Sequence, residues 1–118
     1  MLEHLTKETF REKVFNFEVN KEWKYEGSKP CMIDFYADWC GPCRRMSPII
    51  DSVAGIMPHI TFVKINRDYF VDLGNDFHIT SIPTLIFLHN GKEIGRYDGK
   101  PLTEKTLAQL IINVYRNK

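Results

Sequence analysis

The stretch CMIDFYA at residues 31–37 constrains the fold more than any other part of the sequence. It is a continuous apolar run that only Asp34 interrupts, and such a run is typical of a strand buried on both faces of a sheet. A strand of this kind needs helices packed above and below it. The sequence therefore predicts an α/β fold.

Segments of helix type and strand type alternate before and after this strand. Thr6 is a predicted N-cap, because apolar residues follow it at helical spacing. Residues 18–30 are polar, contain a glycine and a proline, and are predicted to form a lengthened connection. Apolar residues recur at helical spacing again after Cys43, which predicts a second helix.

The second half of the chain predicts three further strands and two further helices. ITFVKI at 60–65 is of strand type, and two more such segments flank Asn90-Gly91, a pair typical of a hairpin turn. A short helix is predicted over about residues 69–77, and Thr103 caps an amphipathic final helix. The predicted order is β-α-β-α-β-α-β-β-α, with a first strand before the helix that Thr6 caps. This order gives a mixed five-stranded sheet with helices on both faces, in a single domain spanning residues 1–118.

Composition and charge exclude several classes of protein. The 118 residues are 43% hydrophobic and 26% charged, which is typical of an ordinary globular domain. The net charge of +1 argues against a nucleic-acid partner, and no apolar run is long enough for membrane insertion. The first fifteen residues are densely charged and unlike a signal peptide. We therefore expect a cytoplasmic monomer, with the periplasm as the alternative location if a leader has been removed.

The motif WCGPC at 39–43 carries the chemistry. A structural disulfide between cysteines this close would stabilise little, because the loop that it closes is short. A zinc site needs four ligands, and no second motif supplies them, so we predict no metal and no other cofactor. At a helix N-terminus, unpaired N–H groups and the macrodipole favour the thiolate. Cys40 is therefore the predicted nucleophile and the more exposed thiol, and Cys43, one turn into the helix, is the predicted resolving thiol.

Five features of the sequence together resemble the thioredoxin family over nearly the whole chain. They are WCGPC at 39–43, DF at 34–35, Lys64, SIPT at 81–84, and the Asn90-Gly91 pair followed by Gly99. The resemblance implies the thioredoxin fold and a thiol-disulfide oxidoreductase that reduces protein disulfides. It also implies that Cys40 and Cys43 form a redox-active disulfide.

The resemblance further implies a proton acceptor and donor inside the protein. Asp34 would lie buried beneath Cys43 and exchange protons with it through water, and burial should raise the pKa of this carboxyl. Lys64, on a neighbouring strand, would be its partner. A satisfied core carboxylate and a solvated lysine are the structural alternatives.

A substrate groove is implied around the cysteines. Pro83 would follow a cis peptide bond, so that the backbone of Ile82 could pair with an extended substrate strand. The other groove and motif positions are Trp39, Gly41, Pro42 and Gly99. Cys31 has no place in the motif and is predicted to be an inert buried thiol. Tyr36 stands where many bacterial members of the family carry tryptophan.

The expected partners are disulfide-containing substrate proteins and a recycling system, either a flavoprotein reductase or a membrane thiol carrier. Two alternatives remain open at this point. One is an oxidant or isomerase in an oxidising compartment, and the other is a binding subunit that uses the same fold as a scaffold.

Overall fold

The computed structural model describes residues 3–4 and 30–116. The strands are β1 Glu3–His4, β2 Cys31–Tyr36, β3 Thr61–Asn66, β4 Thr84–His89 and β5 Lys92–Tyr97; the helices are α1 Gly41–Ile56, α2 Val71–Asp76 and α3 Glu104–Tyr115. The helix predicted after Thr6 and all but the last residue of the 18–30 connection lie outside the described residues.

The strands form one mixed sheet in the order β1-β3-β2-β4-β5. β1 and β2 each run parallel to β3, and β4 runs antiparallel to both β2 and β5. The predicted sheet of three parallel strands and an antiparallel hairpin is therefore confirmed. β2 occupies the centre, where Asp34 lies opposite Lys64 on one side and Leu85 on the other.

Side chains of the central strand alternate between two apolar layers, as the pleat of a strand requires. Cys31, Ile33 and Phe35 pack with Phe77 and Ile79 on one face. Met32 packs on the other face with residues of α1 and α3, which are Met46, Ile50, Leu107 and Ile111. Asp34 follows Met32 by two residues and therefore points to the α1 side of the sheet.

Local sequence signals account for the turn and for two helix starts. Asn90 and Gly91 have φ values of 53° and 78°, and two positive φ values in succession are typical of a type I′ hairpin turn. The short helix begins at Val71, two residues later than predicted, because the Tyr69 N–H donates to the Asn66 carbonyl in a preceding turn. Thr103 caps α3 as predicted, since its hydroxyl accepts from the Thr106 N–H at 3.1 Å.

The end of α3 is joined to the sheet by Tyr115. Its hydroxyl lies 2.9 Å from the carbonyl oxygen of Cys31 and 3.0 Å from that of Leu88, within donating distance of both for its single proton. These carbonyls belong to β2 and β4, so one side chain links the last helix to two adjacent strands. None of the three described helices is long and apolar enough to cross a membrane.

Candidate active site

A tight turn carries the chain from the end of β2 into α1. The Cys40 N–H donates to the Ala37 carbonyl at 3.2 Å, and Cys40 is the N-cap of α1. Its Sγ accepts from the Cys43 N–H at 3.2 Å. Cys40 and Cys43 form a disulfide, with Cα atoms 5.2 Å apart. The electron-rich sulfur of Cys40 therefore lies where helix N–H groups stabilise negative charge.

Solvent exposure does not distinguish the two sulfur-bearing residues. Cys40 and Cys43 are each only 5% exposed, so the prediction that Cys40 is the more exposed thiol is wrong for this disulfide-bonded state. The reason is that Ile82 packs against both cysteines and Ala37, and its carbonyl oxygen lies 3.8 Å from Cys40 Sγ. The N-cap position of Cys40 is what makes the two sulfurs different.

The loop that covers the disulfide is fixed by its own hydrogen bond. The Ile82–Pro83 peptide bond is cis, as the resemblance implies. The Thr84 hydroxyl donates to the Ser81 carbonyl at 2.6 Å and brackets this bond. Pro83 and Thr84 are buried, whereas Ile82 is half-buried and Ser81 is exposed. The loop is therefore anchored at its Pro83 end and presents its first residues at the surface.

Asp34 is a buried carboxyl with an open acceptor. Its side chain is 2% exposed, and its Oδ1 has no hydrogen-bond partner among the described residues. Burial raises the pKa of Asp34 from 3.8 to about 7. The positive charge of Lys64 lowers this pKa, and the negative charge of Asp51 raises it. Asp34 can therefore take up or release a proton near neutral pH.

Lys64 lies beside Asp34 in the sheet but directs its ammonium group elsewhere. Its Nζ donates to the Ser47 hydroxyl at 3.2 Å and lies 4.5 Å from the centroid of the Tyr36 ring. It is not hydrogen-bonded to Asp34 Oδ1. Lys64 therefore acts on Asp34 through the electrostatic effect of its charge and not through a hydrogen bond to Oδ1.

Trp39 forms an exposed apolar surface next to the disulfide. It is 66% exposed, and its Nε1 donates to Asp68 Oδ2 at 2.8 Å. Asp68 is in turn held by its own N–H, which donates to the side-chain oxygen of Asn66 at 2.9 Å. The indole is therefore fixed in place although most of its surface faces solvent.

The predicted motif glycines and Pro42 occupy defined backbone positions. Gly41 begins α1 and Pro42 follows it, where the missing N–H of proline costs no helical hydrogen bond. Gly99 lies between β5 and α3, and a Cβ at this position would approach the Tyr97 hydroxyl to 2.6 Å. That hydroxyl donates to the Lys100 carbonyl at 2.6 Å, so a larger residue would disturb a formed turn.

Comparisons with known proteins agree with this geometry. The thioredoxin family model matches residues 2–113. The chain is 39% identical over 98 residues to thioredoxin from Borreliella burgdorferi, a match that covers 82% of this chain and 78% of the relative. It is 34% identical over 105 residues to thioredoxin H-type 1 from Nicotiana tabacum, a match that covers 84% of this chain and 82% of that protein.

The chain belongs to the thioredoxin family. A solved structure of chloroplastic thioredoxin z has the same fold, with a TM-score of 0.76 at 22% identity over 98% of this chain and 95% of that one. As a thioredoxin-type protein-disulfide reductase, the protein acts by dithiol-disulfide exchange through the Cys40–Cys43 pair.

Two residues of this thioredoxin site were not predicted from the sequence. Ser47 follows Cys43 by four residues in α1, and this spacing places both on one helix face. Asp68 follows the end of β3, which is parallel to β2 and ends at the same edge of the sheet. The helical period and the parallel order were therefore the signals that could have indicated them.

Cys31 is not part of the Cys40–Cys43 disulfide, and we expect it to be inert in catalysis. It is fully buried at the start of β2, on the sheet face opposite α1. Cys31→Ser should keep the rate of disulfide reduction but lower the free energy of unfolding by about 1–3 kcal/mol, because it buries a hydroxyl among apolar side chains. Turnover and denaturant melts of Cys31→Ser and Cys31→Ala separate the cost of the hydroxyl from the loss of sulfur. A large loss of turnover in both variants would contradict this expectation.

Proposed function

We propose that Cys40 is the attacking thiol and Cys43 the resolving thiol of this reductase. The Cys40 thiolate attacks one sulfur of a substrate disulfide, that S–S bond breaks, and the other substrate sulfur leaves as a thiolate. Cys43 then loses its proton and attacks Cys40 Sγ, which forms the Cys40–Cys43 disulfide and releases the second substrate thiolate. Two electrons pass to the substrate. The N-cap position of Cys40 is the observation that carries this assignment.

We propose that Asp34 accepts the Cys43 proton in the second step. A pKa of about 7 leaves a substantial fraction of this carboxyl ionised at neutral pH and still basic enough to take a proton. When the disulfide is reduced again, Asp34 returns the proton to the Cys43 sulfur. Support for the assignment comes from its burial on the α1 side of the sheet and from its unpartnered Oδ1.

The substrate segment is proposed to bind as an extended strand against the backbone of Ile82, with Trp39 as an apolar contact. Backbone pairing gives affinity without demanding one sequence, which suits a reductase with several substrate proteins. A flavoprotein reductase or a membrane thiol carrier would regenerate the dithiol. We propose a cytoplasmic monomer, with the periplasm as the alternative location if a leader has been removed.

Reduction of insulin by dithiothreitol, followed with and without the protein, tests the catalytic proposal. We expect insulin to precipitate earlier when the protein is present, and the Cys40→Ser variant serves as the control. No acceleration would instead favour a binding subunit with this fold. A reduction potential of about −270 mV, the value typical of thioredoxin, fits a reductant, whereas about −120 to −180 mV would indicate an oxidant or isomerase.

A further inference from the structure

We propose that Ser47 is a positioning residue of this site. Its hydroxyl holds the Lys64 ammonium group away from the Asp34 carboxyl and so leaves that carboxyl free to exchange a proton. The inference rests on the proposed role of Asp34 as the proton acceptor for Cys43. It adds a residue of α1 outside the Cys-x-x-Cys motif to the proton-transfer machinery.

The positions of the strands would favour a direct ion pair. Asp34 and Lys64 are register partners on the parallel strands β2 and β3. Asp34 follows Met32 by two positions, and Lys64 follows Phe62 by two. Met32 and Phe62 both belong to the apolar layer that packs against α1, so the side chains of Asp34 and Lys64 point to the same side of the sheet. Opposite charges at adjacent strand positions ordinarily attract and pair. Here the pairing is not made at Oδ1, which has no hydrogen-bond partner among the described residues.

Two neighbours determine where the ammonium group lies instead. Ser47 Oγ accepts from Lys64 Nζ at 3.2 Å, and the Tyr36 ring centroid lies 4.5 Å from the same nitrogen. The first contact is a hydrogen bond and the second a cation-π interaction, which together replace part of the hydration of the charge. Without the hydroxyl, the ionised Asp34 carboxylate would be the stronger acceptor within reach of the lysine. Ser47 is therefore the part of this arrangement that a single substitution can remove.

The charges around Asp34 come from two elements. Lys64 on β3 lowers the pKa of the carboxyl, and Asp51 on α1 raises it. β4 contributes Leu85 as the register partner of Asp34, and α3 contributes the apolar Leu107 and Ile111 to the same layer. A substitution at Ser47 leaves all of these side chains in place, so an effect on Asp34 would report the position of Lys64.

The direct test is a ¹³C NMR titration of the Asp34 carboxyl carbon in the disulfide-bonded protein, where neither Cys40 nor Cys43 carries a thiol that could titrate. Ser47→Ala should lower the pKa of Asp34 by about 1, because an opposite charge that moves closer favours the ionised form. Ser47→Thr keeps the hydroxyl and should leave the pKa close to that of the unchanged protein. Lys64→Gln should raise it, since the positive charge is removed.

A double substitution shows whether Ser47 acts through the lysine. In the Lys64→Gln background, Ser47→Ala should have no further effect on the pKa of Asp34. An unchanged or raised pKa in Ser47→Ala, or the same lowering in both backgrounds, would overturn the proposal. In each variant, the acid limb of the pH profile of insulin reduction should shift in the same direction as the pKa of Asp34. If the unchanged protein does not accelerate insulin reduction, the proposed function is refuted. The inference about Ser47 is then still tested by the titration, which does not depend on turnover.

Discussion

Cys40→Ser should abolish disulfide reduction, whereas Cys43→Ser should stop the reaction after its first step. Without Cys40 no thiolate lies at the N-cap of α1 to attack the substrate. Without Cys43 the attack by Cys40 still occurs, but no second thiol is present to release the mixed disulfide. Cys43→Ser is therefore expected to accumulate a covalent adduct with a disulfide-containing protein such as insulin. Mass spectrometry of the adduct, after digestion without reductant, identifies the linked cysteine.

The control uses the third cysteine. Both variants are made in the Cys31→Ser background, so that every adduct must form through the one remaining motif cysteine. The order of attack would be reversed if Cys40→Ser formed adducts through Cys43 as fast as Cys43→Ser forms them through Cys40. The experiment can distinguish the two orders of attack because the two residues are equally buried, so that solvent access favours neither sulfur.

Asp34→Asn should stabilise the protein, and the gain should depend on pH. The pKa of Asp34 rises on folding from 3.8 to about 7, so below pH 4 the carboxyl is protonated in both states and contributes no difference. Between about pH 4 and 7 the unfolded chain is ionised while the folded protein keeps its proton, so stability falls as the pH rises. Above pH 7 the loss of stability is complete, on the order of 4 kcal/mol. Denaturant melts of the oxidised protein at pH 4 and pH 8 measure the difference.

The same variant should be slower in turnover. Loss of the proton acceptor is expected to reduce the rate at pH 7 by about tenfold or more, since positioned bases commonly contribute at least that much. Asp51→Asn is the matched control, because this residue is exposed on α1 and acts on Asp34 only through its charge. A destabilised Asp34→Asn protein with unchanged turnover would show that the carboxylate is structural.

Much of the fold follows from local patterns in the sequence. The continuous apolar run around Asp34 predicted a strand buried on both faces, and β2 is the central strand of the sheet. Asn90 and Gly91 predicted a hairpin because few other residue pairs tolerate two positive φ values. Thr103 predicted a helix start because its hydroxyl can satisfy an unpaired N–H group. Each of these signals acts within a few residues of chain.

Features that depend on distances between elements could not be predicted in this way. The resemblance indicated Lys64 as a partner of Asp34, but the hydrogen bond to Ser47 joins a strand to a helix across seventeen residues. The low exposure of Cys40 depends on Ile82, which is forty-two residues away in the sequence. The direction of a long side chain and the cover over a sulfur are decided by packing over a few ångströms, and no sequence period encodes them.

The central position of β2 determines whether the protein or its substrate changes conformation when the two bind. β2 is hydrogen-bonded on both edges, packed on both faces, and tied through a carbonyl to Tyr115. Cys40 follows its last residue by four positions, so the disulfide is joined to a buried central strand, the kind of element that opens last in folded proteins. A rigid platform of this kind loses little conformational entropy on binding. The entropic cost of fitting therefore falls on the substrate, which favours disulfides in segments that are already extended or locally unfolded.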